Sequence, residues 1–197
     1  MKTRGSEGFS VCVSGVPGVG KTMLLQTHVT QRESRDRQIT GSSVVKGIIA
    51  PASVRDLDTW PEEKRDEVRE ESIRRLRDQR RDTSGRLLVD GHFTLRNRAT
   101  GVIEPIFTPG DRSFFDALAL IEAPIEQVLA WRQGDTRDRG AETPEQILAH
   151  LAAERAEGER LAKEMRVPYL LVTDTSLTDR LDSLAEFLNQ HASLGAA

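Results

Sequence analysis

The apolar run Phe9 to Ser14 breaks into Gly15-Val16-Pro17-Gly18-Val19-Gly20-Lys21-Thr22 and resumes as Met23-Leu24-Leu25. A strand, a glycine-rich turn closed by Lys-Thr, and a helix leave little choice of fold. The glycines let the backbone curl so that its N–H groups converge on phosphate oxygens. The helix that follows presents its positive end to the same anion. In such a P-loop, Lys21 places a point charge between the outer phosphates and the Thr22 hydroxyl ligates magnesium. The whole octapeptide, Gly15 to Thr22, therefore predicts a nucleoside-triphosphate site with Mg2+ beside it.

The remaining pattern supplies a sheet for this loop. Arg86–Asp90, Ala117–Ile121 and Pro168–Val172 read as buried strands, and a further short strand falls near Ile39–Val45. Helices are expected over Lys21–Arg32, Pro61–Asp82, Pro124–Gln133, Thr143–Met165 and Thr178–Gln190. Thr143, Pro144 and Gln146 have the spacing of a capping box. Apolar strands alternating with helices predict an α/β, three-layer P-loop fold: a five-stranded parallel sheet, helices on both faces and a short lid. One domain is expected over residues 1–197, with frayed ends at Met1–Gly8 and Ser193–Ala197.

Charged residues make up 30% of the chain and apolar ones 37%, which predicts a small core inside solvated helices. Pro61–Asp82 is the extreme case. Acids fill its first turns and arginines its last, with Glu70–Arg74 and Glu71–Arg75 spaced as ion pairs, so it reads as an outer, solvated helix. A net charge of -3 argues against bulk nucleic-acid binding. The lone Cys12, flanked by Val11 and Val13, reads as a buried core thiol in a reducing cytoplasm. No apolar stretch has the length of a membrane span or the form of a signal peptide.

Several residues outside the octapeptide point to the same chemistry. Leu87-Leu88-Val89-Asp90 is an apolar strand tip ending in a carboxylate, the arrangement of a second magnesium-side group. His92 follows, as either an acceptor-orienting side chain or a turn residue. Arg132 continues the apolar stripe of Ile125, Val128 and Leu129. Arg155 lies four residues after Leu151 on the stripe of Ile147. Arginines on inward faces suit the negative charge that spreads over a moving phosphoryl group. Between these two helices, residues 134–141 include Arg137 and Arg139 on a segment that begins at Gly134 and has a second glycine at Gly140, the make-up of a closing lid.

With these residues set out, the chain resembles the archaeal-type adenylate kinases from about Phe9 to Gln190. The marks are Gly-Val-Pro-Gly-Val-Gly-Lys-Thr, Val89-Asp90-Gly91-His92, the short lid, and the spacing Ile147-x-x-His150-x-x-x-x-Arg155. The resemblance implies that Lys21 and Thr22 hold triphosphate and magnesium, with Asp90 supporting the metal. It implies that Arg132, Arg137, Arg139 and Arg155 gather around the transferring group. It sets Thr173 and Asp174 beside the adenine base and Arg96 near the phosphate acceptor, with Arg55 the nearest acceptor arginine in an insert spanning about residues 36–82. Two departures stand out: the lid is one residue shorter than the family pattern, and residues 41–59 match poorly.

Three functions follow as expectations. The leading one is a nucleoside-monophosphate kinase with magnesium ATP as donor. The second is a P-loop kinase for a hydroxyl of a nucleoside or specialised metabolite, with Asp90 or an acid within Asp56–Asp58 as base. The third is a regulatory NTPase, against which stands the lack of an Asn-Lys-x-Asp guanine-reading motif.

Overall fold

The computed structural model describes residues 8–31, 35–98, 100–134 and 142–191. Its main sheet has five parallel strands: β1 (Ser10–Ser14), β2 (Arg37–Thr40), β3 (Leu87–Asp90), β6 (Ala117–Ile121) and β7 (Tyr169–Val172), in the order β2-β3-β1-β6-β7. β4 (Thr94–Arg96) and β5 (Ile103–Pro105) form a separate antiparallel pair. β1, β3 and β6 are buried along their whole length. Strands covered on both faces read as continuous apolar runs, which is why these three were legible.

The period of two along each strand divides the core. Val11 and Val13 of β1, Leu88 of β3, and Ala117, Ala119 and Ile121 of β6 face one apolar cluster. Leu24 and Leu25 of α1 (Lys21–Gln31), Val128 of α5 (Ile125–Gln133), and Leu184 and Leu188 of α7 (Leu177–His191) complete it. Cys12, Leu87, Val89, Leu118 and Leu120 face the other way. There they meet Ile73 and Leu76 of α3 (Glu62–Arg81), Phe114 of α4 (Pro109–Phe114), and Leu161 of α6 (Pro144–Met165). Cys12 is buried as expected, and burial pushes its thiol pKa up.

The chain leaves β1 toward β3 and β2, and later returns to β6 on the opposite side of β1. Such a reversal opens a crevice at the carboxyl end of the central strand, where ligands of open α/β sheets bind. The P-loop occupies that end.

Several local expectations hold. Thr143 caps α6 through a full capping box with Gln146. Others change. Residues 41–49, whose first part read as strand, form α2 (Gly41–Ile49), followed by a 3-10 turn at Asp56–Thr59. Glu70 does not pair with Arg74 but accepts the Gly110 N–H at 3.2 Å, whereas Glu71 takes both Arg74 and Arg75. Among the described residues, no helix is long and apolar enough to cross a membrane.

Candidate active site

The P-loop glycines adopt backbone that other residues resist. Gly15 has φ +143, and a Cβ there would stand 2.4 Å from the Ile121 carbonyl oxygen. Gly18 has φ +93, and its Cβ would meet the Arg132 stem at 2.8 Å. Backbone and side chain therefore approach the loop as closely as glycine allows. Val16 and Val19 point into the core and leave only their backbone to the cradle.

Three cations hold P-loop carbonyls. Lys21 Nζ donates to Gly15 O at 2.5 Å, Arg132 Nε to Pro17 O at 2.9 Å, and Arg180 Nη1 to Val19 O at 3.0 Å. Lys21 is buried, with Nζ 3.9 Å from the Asp90 carboxylate. Thr22 Oγ1 donates to Asp90 Oδ2 at 2.5 Å. The two groups expected beside magnesium therefore meet, because β3 pairs with β1 and carries Asp90 to the level of Val13. A hydroxyl and a carboxylate are hard oxygen donors of the kind magnesium takes. Among the described residues there is no cluster of three His, Cys, Asp or Glu side chains fit for a metal. An ion here would draw its other ligands from phosphate and water, the usual habit of magnesium at nucleotide sites.

From this loop a cavity of about 770 Å³ extends under α2, the 3-10 turn, α3 and the β4–β5 hairpin. Gly18, Gly20, Lys21, Thr22, Asp90 and His92 line its P-loop end, so His92 does face the cavity. Val45, Leu57, Val68, Leu76, Phe107 and Phe115 make the far part apolar. Arg65, Arg69 and Arg98 also line it. Arg65 Nη1 donates to Glu104 at 2.8 Å and Arg69 Nη1 to Asp66 at 2.7 Å. Arg65 Nε is buried and, among the described residues, has no hydrogen-bond partner; the same holds for Arg132 Nη2 at the P-loop end. Most charges of α3 are solvated as expected, but Arg65 and Arg69 sit on its cavity face.

The sequence of the chain matches a protein family described as an AAA domain over residues 14–148. The chain belongs to this AAA-domain family. No curated protein matches the sequence. Among solved structures, shikimate kinase from Acinetobacter baumannii in complex with shikimate superposes with a TM-score of 0.59 at 16% identity, over 94% of this chain and 96% of that one. A sugar kinase from Janibacter sp. gives 0.57 at 15% identity, over 94% and 97%. Shikimate kinase from Bacteroides thetaiotaomicron gives 0.54 at 12%, over 92% and 98%. The AAA domain therefore has the α/β fold of P-loop kinases. The archaeal-type adenylate kinase resemblance is borne out at that broader level.

Within the AAA domain the expected arginines part company. Arg132 lies against the P-loop, with Nη1 2.8 Å from Glu142. Arg96 does not line the cavity; its Nη1 lies 3.4 Å from the other oxygen of Glu142, so one carboxylate bridges the two arginines. Arg98, two residues on, lines the cavity instead. Arg55 is exposed on the 3-10 turn and outside the cavity lining, where Leu57 and Asp58 stand. Arg155 does not reach the P-loop. Its guanidinium grips Glu122 through Nε at 2.9 Å and Nη2, and the side chain is 47% exposed. Leu151, the apolar residue one turn earlier, is itself only half-buried, so the stripe does not carry Arg155 inward. Arg137 and Arg139 lie outside the described residues.

Thr173 and Asp174 follow β7 but do not line the cavity; the Asp174 carbonyl accepts Arg180 Nε at 2.6 Å. Arg180 also donates to Glu122 O at 2.8 Å and lies 5.2 Å from the Trp131 ring centre. Two charged residues central to the site, Arg180 and Glu154, had no signal in the sequence. Each sits in a helix full of charge, and only the fold selects it.

Proposed function

We propose that this protein is a magnesium-ATP-dependent phosphotransferase whose acceptor is a nucleoside monophosphate. The observation that carries the acceptor is the cavity opposite the P-loop. Apolar walls suited to a base and ribose carry arginine side chains suited to a phosphate. The unpaired, buried Nε of Arg65 is a donor awaiting an acceptor atom. The present partners of Arg65 and Arg69, Glu104 and Asp66, are 34% and 49% exposed. Pairs of that exposure are weak and exchange readily for a phosphate, which a guanidinium grips through two parallel bonds.

When bound, magnesium-ATP supplies the activated phosphoryl group. Lys21 neutralises the outer phosphates, and Arg132 brings an unpaired N–H to the loop. Thr22 and Asp90 hold the metal side. A monophosphate acceptor is already an anion, so the reaction asks for alignment and charge neutralisation and needs no strong base.

A second reading has its own observation. Asp90 lines the same cavity beside the P-loop, where it would serve as base for a hydroxyl acceptor. The shared fold with shikimate and sugar kinases is compatible with it. ADP formation from magnesium ATP, measured with AMP, CMP, UMP, GMP, their nucleosides and small alcohols, separates the two. A nucleoside or alcohol that outperforms every monophosphate transfers the assignment to the second reading. No stimulation by any acceptor favours a regulatory NTPase.

The monophosphate reading also predicts a selective mutant. Arg65→Ala raises KM for the acceptor by about tenfold or more and KM for ATP by less than about twofold, because it removes one charge-assisted contact to the acceptor alone. Equal effects on both substrates would mean that Arg65 does not contact the acceptor.

A further inference from the structure

Glu154 is completely buried in α6. Its Oε2 accepts the Ser14 hydroxyl at 2.5 Å and the Phe93 N–H at 3.1 Å, and its Oε1 accepts the Thr94 N–H at 3.3 Å. Oε1 also lies 3.4 Å from His92 Nδ1 and 3.7 Å from His150 Nε2. Ser14 is the residue before the P-loop, and His92 to Thr94 begin two residues after Asp90. A single anion thus joins the root of the triphosphate cradle to the segment that leaves the magnesium-side carboxylate.

Isolated buried charges are costly, and a carboxylate persists only among donors. Burial alone would raise the Glu154 pKa. The nearby His92 ring, the Ser14 hydroxyl and the Lys21 charge outweigh it and hold the carboxyl at about 2. His92 itself has two edges in different surroundings. Nδ1 is buried 3.4 Å from Glu154 Oε1, near enough for the anion's charge to favour a proton there, though among the described residues it has no partner in hydrogen-bond geometry; the residue also lines the cavity. The edge left for a ligand is therefore Nε2.

We propose that Glu154 is a positioning residue for phosphoryl transfer: it keeps a proton on His92 Nδ1 and holds the ring so that Nε2 meets the acceptor beside the P-loop. The logic is that of a carboxylate that sets the tautomer and aim of a working imidazole. His150 supports the arrangement from within α6, with Nε2 3.4 Å from the Thr94 carbonyl. The kinetic part of this proposal rests on the phosphotransferase reading; the imidazole geometry does not.

The test has two arms. Long-range 1H–15N NMR reads the protonation of each ring nitrogen of the four histidines, with His92 assigned by its loss in His92→Ala. The expected result is a protonated His92 Nδ1 in the wild-type protein, and loss of that preference in Glu154→Gln. A wild-type His92 protonated only at Nε2 overturns the proposal, whatever the variants do. In the kinetic arm, Glu154→Gln lowers kcat by about tenfold or more and changes KM for ATP by less than about twofold. In the His92→Ala background the same change lowers kcat by less than about twofold further, since Glu154 acts through the ring. Glu154→Asp, which keeps the charge, recovers part of the loss. Equal losses in both backgrounds would make Glu154 a structural residue only and overturn the proposal. If wild-type protein transfers phosphate to no acceptor, the functional reading fails, while the NMR arm still decides the role of Glu154.

Discussion

Lys21→Ala lowers kcat by at least about 10²-fold while circular dichroism and the elution volume stay those of the wild type. Lys21 is a side-chain cation buried within the P-loop itself, and its Nζ spans the Gly15 carbonyl and the neighbourhood of the Asp90 carboxylate. On the proposed function, this charge would face the outer phosphates of a bound triphosphate and would count for more as negative charge develops on the leaving oxygen. Groups that act in this way influence the transition state more than the ground state, so kcat should fall further than KM for ATP rises. Lys21 is buried, and a charge acts more strongly there than in bulk water. The fold survives because the apolar packing of α1 rests on Leu24 and Leu25, one turn further on. Steady-state ADP formation and nucleotide binding by calorimetry check the two halves separately. Wild-type kcat and KM in the mutant would remove the basis for placing ATP at this loop.

What could be read from the chain before folding follows from the range over which each signal acts. The P-loop and the Thr143 capping box are local: their geometry is written in consecutive residues. β1, β3 and β6 are central strands, and burial on both faces gives each an unbroken apolar run. The pairing of Thr22 with Asp90 was also foreseeable, since a carboxylate at a strand tip has a fixed place beside a P-loop strand. The acceptor side offers no such signal. Val44 and Val45 favour strand by their branched side chains, yet α2 forms because that face packs against α3. β4 and β5 are three residues each, too short for a period to show. Arg65 and Arg69 were hidden because every side of α3 is charged, and only the cavity distinguishes one side from another. Arg155 illustrates the opposite error. Its place after Leu151 suggested an inward aim, but Glu122, just after β6, offers a bidentate partner that leaves Arg155 half-exposed. Sequence periodicity gives the face of a helix, and the partner across the gap decides where a long side chain ends.

Arg180 presents the clearest case of such a partner-determined residue, and its replacement should give the largest loss of stability at the site. Arg180 is 3% exposed, and its guanidinium donates to three backbone carbonyls: Val19 in the P-loop, Glu122 after β6 and Asp174 after β7. One planar group therefore fastens together three segments that approach the nucleotide site from different parts of the chain. Burial disfavours the charge and lowers the pKa, with Asp174 opposing that shift. The cation is retained because the three carbonyls and the Trp131 ring surround it. The Val19 carbonyl is thereby held against Arg180, and its peptide leads directly into Gly20, which lines the cavity. Arg180→Ala leaves three carbonyls without their charged donor and opens a gap beneath Trp131. The expected cost is about 3 kcal/mol, since hydrogen bonds to charged groups rank among the strongest and some carbonyls will regain water. In a chain of this length that corresponds to a fall in Tm of about 6–12 °C. Arg180→Lys should recover less than half of it, because a point ammonium cannot match a planar fork that serves three acceptors. Arg180→Met, which restores most of the stem volume without donors, should resemble Ala in nucleotide affinity while regaining some Tm. Scanning calorimetry with and without magnesium ATP separates the packing part from the carbonyl part. A Tm within about 2 °C of wild type for Arg180→Ala, with unchanged ATP affinity, would show that the three segments hold their positions without the guanidinium.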